Sequence, residues 1–373
     1  MNDDSLSAKI RVGIIFGGKS AEHEVSLQSA KNVIDALDKN KYEAILIGID
    51  KTGKWFLNDE SKFLLNVTDP KLIKLNNEKR EEVTLAPEGR GILTNLETNK
   101  IDKRIDKRID IAFPILHGPF GEDGTMQGLL KLAGIPFVGA GVLGSAVGMD
   151  KEITKRLLRD AGINIGKFLS GRENYLPAFM EVVNKIGLPF FVKPANMGSS
   201  IGINKVRSEE DFEGAVEDAL KYDRKILFEE FIPGREIECS VLGNENPIAS
   251  VPGEIISNHD FYSYEAKYID ENGAILEIPA KLSQEMVHKI QDMSINVFRT
   301  LECEGLARVD FFVTENNEIF VNEINTMPGF TKISMYPKLW EASGISYSEL
   351  IDRLIVLAME RFKKEQNLKT SFK

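Results

Sequence analysis

Apolar positions along this chain fall into short unbroken runs and longer periodic ones. Ile10–Phe16, Ala44–Ile49, Ile109–Leu116 and Phe190–Val192 are apolar-rich and bounded by glycine, proline or charge, which predicts buried strands. Ser26–Ala36, Thr125–Ala133, Asp150–Asp160, 174–186, Asp211–Tyr222, 283–300 and Tyr347–Phe362 carry helical spacing. Strand, Gly17-Gly18 turn and helix over 10–36 form the βα unit of a doubly wound parallel sheet, with ligand expected at the strand's carboxyl end. Gly17-Gly18 falls short of a full G-x-G-x-x-G and is weak as a dinucleotide signal. The expected class is α/β, with a domain boundary at Gly139-Ala140-Gly141.

A hairpin near the end carries unusual polar chemistry. Arg308–Val313 and Ile319–Asn325 flank Asn316-Asn317. A two-residue turn there sets Glu315 opposite Glu318, Asp310 opposite Glu323 and Arg308 opposite Asn325. Residues two apart on a strand share a face, so Arg308, Asp310, Glu323 and Asn325 project together. Like charges directly opposite destabilise a sheet, so the acid pair needs a reason. A hard cation such as Mg²⁺ supplies one, because it takes oxygen ligands from one or two carboxylates plus phosphates. A solvated hairpin face is the other reading, and the hairpin alone leaves both open.

Loops narrow the choice. Ala195–Ile203 is a small-residue loop just after Lys193, suited to closing over phosphates with backbone N–H groups and serine hydroxyls. His117–Gly124 combines glycines and acids at a strand end, the composition of a functional loop. Asn258–Asn272 is long, aromatic and polar, which predicts a lid over ligand. Glu229 and Glu230 end the strand Lys225–Glu230 on alternate sides, so at most one of them faces a given cleft. The stretch from about Glu60 to Asp110 is charged and irregular, with the repeat Ile101–Arg104 and Ile105–Arg108. It reads as solvated and carries no chemistry.

Composition excludes several classes. The 373 residues suffice for two or three domains, and the net charge of −10 argues against nucleic acid as the main partner. Cys239 and Cys303 lack metal or redox spacing and read as buried thiols of a reducing compartment. The polar N-terminus and the lack of long apolar runs predict neither signal peptide nor membrane span, hence a cytoplasmic protein.

In order along the chain, several short motifs together resemble the D-alanine–D-alanine ligases of the ATP-grasp superfamily. They are Gly17–Ser26, His117-Gly118 with Gly121–Gly124, Met149–Lys151, Lys193 with Gly198–Ser200, Glu265–Tyr268, Arg308 with Asp310, and Glu323–Thr326 with Pro328-Gly329. One departure is Ser263, where the family often has an acid. The resemblance implies an N-terminal Rossmann-like substrate domain (1–139), a central ATP-grasp subdomain (140–229) and a C-terminal one with metal site and lid (230–373), with nucleotide between the last two. It implies that Lys151 and Lys193 contact ATP phosphates with the Ser199-Ser200 loop closing over them, that Lys267 also binds ATP, and that Glu229 and Glu236 hold adenine and ribose. Two Mg²⁺ (or Mn²⁺) would be held by Asp310, Glu323 and Asn325. One D-alanine would be bound through its ammonium by Glu22. The other would lie near Ser334 and Met335, with His117 lining the pocket. Arg308 and the N–H of Gly329 would stabilise the oxyanion, and Tyr268, Ser199 and Glu22 would form one hydrogen-bonded set.

The implied activity is ATP-dependent joining of two D-alanines through an acyl phosphate for peptidoglycan precursors. The family is commonly dimeric, which implies a homodimer, and neither nucleic acid nor membrane is expected as a partner. A D-alanine–D-lactate ligase is the nearest alternative, disfavoured by Tyr268 in Glu-Ala-Lys-Tyr. A non-catalytic nucleotide- or solute-binding protein would leave Asp310 opposite Glu323 without a purpose.

Overall fold

The computed structural model describes residues 9–59, 63–66, 73–76, 81–96, 108–257, 274–369 and 371. The predicted lid, with Lys267 and Tyr268, and most of the Ile-Asp-Lys-Arg repeat lie outside them.

The N-terminal part runs β1 (Ile10–Gly17), α1 (His23–Ala36), β2 (Tyr42–Ile49), β3 (Trp55–Asn58), β4 (Leu64–Leu65), β5 (Lys74–Leu75), β6 (Glu81–Leu85), β7 (Leu93–Asn95) and β8 (Ile111–Ile115). Its main sheet has the order β7-β6-β3-β2-β1-β8. β1 pairs parallel with β2 and β8, as the sequence predicts. The other half is antiparallel, so the sheet is mixed, and β6 and β7 come from the stretch read as solvated. Both faces of β1 are covered: Val12, Ile14 and Phe16 pack with Leu27 and Val33 of α1, and Ile15 packs with Ile45, Ala112 and Leu130. Burial on two sides is why these strands read as continuous apolar runs.

The β1–α1 turn needs glycine. Gly17 has φ +92°, and a Cβ there would lie 2.1 Å from the Ile49 carbonyl oxygen. Ser26 ties the turn down, accepting from Gly17 N at 2.7 Å and donating to the Ile115 carbonyl. The carboxyl ends of the parallel strands are thereby locked to the start of α1.

The chain continues through α2 (Thr125–Leu132), α3 (Val142–Met149), α4 (Lys151–Asp160), β9 (Phe168–Arg172), α5 (Phe179–Ile186), β10 (Phe190–Pro194), β11 (Asn204–Val206), α6 (Glu209–Leu220) and β12 (Lys225–Glu230). Here β11-β10-β12-β9 make an antiparallel sheet, packed by Phe190 and Phe228 against Val182, Val216 and Ala219 of α5 and α6. Then follow β13 (Arg235–Gly243), β14 (Ile248–Ala249), β15 (Gly253–Ser257), β16 (Ala274–Glu277), α7 (Gln284–Thr300), β17 (Gly305–Val313), β18 (Ile319–Asn325), α8 (Met335–Ala342) and α9 (Tyr347–Gln366). Their sheet runs β16-β15-β13-β17-β18, with β14 on β13. The last helix returns to the first domain: Leu350, Ile351 and Leu354 join the core of Val12, Ile14 and Phe113. Arg361, near its end and 6% exposed, donates to the carbonyls of Gly139 (2.6 Å) and Phe137 (2.8 Å).

The β17–β18 hairpin corrects the expected turn. Asn317 N donates to Thr314 O at 2.9 Å and Thr314 N to Glu318 O at 3.0 Å, so residues 315–317 form the loop and Glu318 faces Thr314 rather than Glu315. Asn317, at φ +61°, takes the left-handed position that such loops require and asparagine tolerates. A bulge then restores the count. Phe311 pairs with Val321 but Asp310 with Glu323, leaving Asn322 extra on β18. Asp310 therefore does face Glu323 and Arg308 does face Asn325, by a route of two compensating offsets.

Cys239 and Cys303 are buried free thiols, as expected, and burial pushes them up to about 11 and about 12. No described helix is long and apolar enough to cross a membrane.

Candidate active site

Two clefts meet at the sheet formed by β13, β17 and β18. The larger, about 1100 Å³, lies between that sheet and the β10–β12 sheet, and Lys151, Lys193, Ser200, Glu229, Glu236, Asp310 and Glu323 line it. The second, about 810 Å³, reaches the N-terminal domain and is lined by Glu22, His117, Arg308, Asn325, Gly329, Ser334 and Met335. Ser199, Glu238 and Glu323 line both. Every described residue to which the resemblance gives a site role thus borders one or both of two clefts that share lining residues.

Helix α4 and strand β10 deliver the lysines. Asp150 caps α4 by accepting from Ile153 N at 3.1 Å, which places Lys151 on its first turn. Lys151 Nζ donates to the Met197 carbonyl at 2.7 Å and lies 3.5 Å from Glu323, so one ammonium touches both the small-residue loop and the hairpin. Lys193 pairs with Glu229, and Lys155 reaches the same carboxylate at 3.2 Å. Burial alone would raise the Glu229 carboxyl, but the ammoniums of Lys155 and Lys193 hold it below the ordinary carboxylate range, so it stays ionised. The neighbouring Glu230 borders the same cleft, against the expectation that at most one of the pair does, while its carboxylate accepts from Lys167 N at 2.6 Å.

In the loop after β10, Ser199 (φ +53°) and Ser200 (φ +60°) are both left-handed, and Gly202 (φ +69°) follows. Non-glycine residues rarely hold that conformation, and such strain collects at ligand clamps. The Ser199 hydroxyl donates to the Glu22 carboxylate just ahead of α1, closing the loop onto the first domain.

On the hairpin, Arg308 grips Asp310 with two bonds, Nε to Oδ1 at 2.7 Å and Nη2 to Oδ2 at 2.8 Å. Asn325 Nδ2 donates to the same carboxylate at 2.9 Å. Among the described residues, no three His, Cys, Asp or Glu side chains converge to hold a metal by themselves. Asp310, Glu323 and Asn325 are instead an incomplete oxygen set, which fits an ion that completes its shell with phosphate oxygens and water.

The second cleft is built on histidine and tight turns. His117 Nδ1 lies 3.0 Å from the Met327 carbonyl and Nε2 3.3 Å from Ser29 Oγ. Burial lowers this imidazole, but Glu122, with Glu22 behind it, more than offsets that and raises it above the ordinary histidine value. A Cβ on Gly329 would come within 2.7 Å of Ser334 Oγ, so the backbone there passes Ser334 with no room for a side chain. Ser334 in turn contacts Thr331, accepting from its N at 3.0 Å.

Sequence reading passed over Lys155 and Glu238, and placed Glu122 in a functional loop without a role of its own. Lys155 stands one turn after Lys151 on the same helix face, and Glu238 stands two residues after Glu236 on the same strand face. Those spacings were the available signals.

A mixed parallel domain ahead of two antiparallel sheets that share a lysine- and acid-lined cleft defines an ATP-grasp enzyme, an ATP-dependent ligase. Residues 11–140 match the family described as D-ala D-ala ligase N-terminus, and residues 157–356 match D-ala D-ala ligase C-terminus. The chain is 57% identical to a D-alanine–D-alanine ligase of Oceanobacillus iheyensis over 97% of its own length and 99% of that protein's. Among solved structures it is similar to the D-alanine–D-alanine ligase of Coxiella burnetii, with TM-score 0.83 and 37% identity over 96% of each chain. A Bacillus anthracis D-alanine–D-alanine ligase complexed with ATP gives TM-score 0.71 and 29% identity, covering 95% of this chain and 99% of that one. The chain belongs to the D-alanine–D-alanine ligase family.

Proposed function

We propose that the joined clefts bind ATP in the larger part and two D-alanines in the smaller, and couple them through an acyl phosphate. The observation that carries this is the place of Glu323, which lines both clefts beside Lys151. Phosphoryl transfer asks a protein mainly for positioning and charge neutralisation. Lys151, Lys193 and Ser200 would take the phosphates, and Lys267 would also contact ATP. Glu229 and Glu236 would bound the adenine and ribose end, with Glu229 anchored by its two lysines.

Mg²⁺ would be held by Asp310, Glu323 and Asn325, and when bound it supplies charge neutralisation on the phosphate oxygens. Glu22 would receive the first D-alanine's ammonium and leave its carboxylate to attack the γ-phosphate. The second D-alanine, its carboxylate toward Ser334 and Met335 in the pocket that His117 lines, would attack the acyl carbonyl through its amine. Arg308 and the Gly329 N–H would meet the oxyanion where charge develops. Ser199, Glu22 and Tyr268 would join phosphate loop, substrate and lid, keeping the acyl phosphate from water. The domain boundaries at 139/140 and 229/230 and a homodimer belong to the same reading.

The test is ADP release with D-alanine as sole amino acid. D-alanine should stimulate it and L-alanine should not; equal stimulation by both, or none by either, rejects the reading.

A further inference from the structure

Glu238 has no part in the roles above, yet it stands where they meet. Strand β13 pairs with β17 so that Glu238 is directly opposite Asp310, which is directly opposite Glu323 on β18. Three acids therefore occupy one rung across three strands, an arrangement that costs stability unless cations divide it. Arg308, two residues along β17 on the same face, is the divider. Its Nε–H donates to Asp310 Oδ1 at 2.7 Å, and the same Nε lies 2.9 Å from Glu238 Oε2 as an ion pair without a hydrogen bond. Glu238 is only 6% exposed, so this contact is shielded from solvent.

The two acids around Arg308 are not equivalent. Asp310 belongs to the oxygen set assigned to the cation, and oxygens that coordinate a cation have less to offer a guanidinium. Glu238, on the far side of Arg308 from β18, stays with the arginine. We propose that Glu238 is a positioning residue that holds the Arg308 guanidinium at the boundary of the two clefts while Asp310 serves the metal. This rests on the oxyanion role given to Arg308 above. Losing Glu238 leaves the guanidinium held by Asp310, which sets Arg308 against the cation and lets it leave the boundary of the clefts once Asp310 coordinates.

A double-mutant cycle of Glu238→Gln and Arg308→Ala tests this with two readouts. One is kcat for D-alanine-dependent ADP release. The other is Mn²⁺ affinity in the complex with a non-hydrolysable ATP analogue, read from the paramagnetic resonance of free Mn²⁺. Glu238→Gln should lower kcat on the order of tenfold and weaken Mn²⁺ severalfold, and should do neither in the Arg308→Ala background. Glu238→Asp, which keeps the charge, should recover most of both and serves in the cycle should the glutamine variant misfold. Equal losses in both backgrounds, or no loss with Arg308 present, overturn the proposal. If Arg308→Ala itself leaves kcat unchanged, the oxyanion role fails instead, and the Mn²⁺ coupling alone decides Glu238.

Discussion

The Ser199 hydroxyl donates to the Glu22 carboxylate across 177 residues of sequence, joining the phosphate-side loop to the entrance of α1 in the first domain. The contact forms only when the small-residue loop sits down on the N-terminal domain. It therefore ties loop closure to the group assigned to the first D-alanine.

Ser199→Ala and Glu22→Gln should then behave as one unit. Each lowers kcat/KM for D-alanine, and the double variant loses less than the product of the two, by a coupling of about 1–2 kcal/mol. Steady-state kinetics of the four proteins measures it, and strictly multiplicative losses would remove the link.

Glu323→Gln should nearly abolish Mg²⁺-dependent ADP formation while circular dichroism stays native. One carboxylate is lost from a set of two, and the amide keeps the shape but not the charge. Turnover equal to the parent would take Glu323 out of the metal set.

His117 contributes stability with a defined sign. Its folded value is raised, mainly by Glu122 acting against burial. That stabilisation is fully present below the unfolded histidine value of about 6.5 and is lost as pH rises through the higher folded one. The Tm difference between parent and His117→Gln should be largest in mild acid and shrink toward alkaline pH. A difference that grows with pH contradicts the sign.

Arg361→Ala should destabilise the chain by about 3 kcal/mol. It leaves the buried carbonyls of Gly139 and Phe137 without this donor and removes a guanidinium 4.5 Å from the Phe137 ring centre. Denaturant unfolding reads this, and a change under 1 kcal/mol, small beside the roughly 1–3 kcal/mol cost of one unsatisfied buried group, would mean that the last helix is anchored by its apolar face alone.

Tyr268→Phe should raise use of D-lactate relative to D-alanine as the second substrate, because the family resemblance gives the aromatic at this position the choice of nucleophile. Product analysis with both acceptors present decides it; an unchanged ratio separates Tyr268 from that choice.

Most of the candidate site was legible in the motifs, because glycine turns, small-residue loops and strand-end acids are local chemistry that sequence displays. The hairpin is instructive: Asp310 does face Glu323, although the two-residue turn behind that expectation is a three-residue loop compensated by the bulge at Asn322. Alternation along each strand survived an error at the turn only because the bulge cancelled it. The added strands β6 and β7 escaped notice because they are short and partly polar, with few core positions such as Val83, Leu85 and Leu93 to mark them.

By itself the sequence determined most of the buried strands and helices, where the candidate ligand loops lie, and through their order the family. These follow from local burial and turn geometry, which a few neighbouring residues specify. Only the tertiary structure decided that Glu238 joins Asp310 and Glu323 in one rung, that Ser199 meets Glu22, and that the last helix closes on the first sheet. Each depends on which distant strand or loop becomes the neighbour, and that is settled by packing the whole chain rather than by any local pattern.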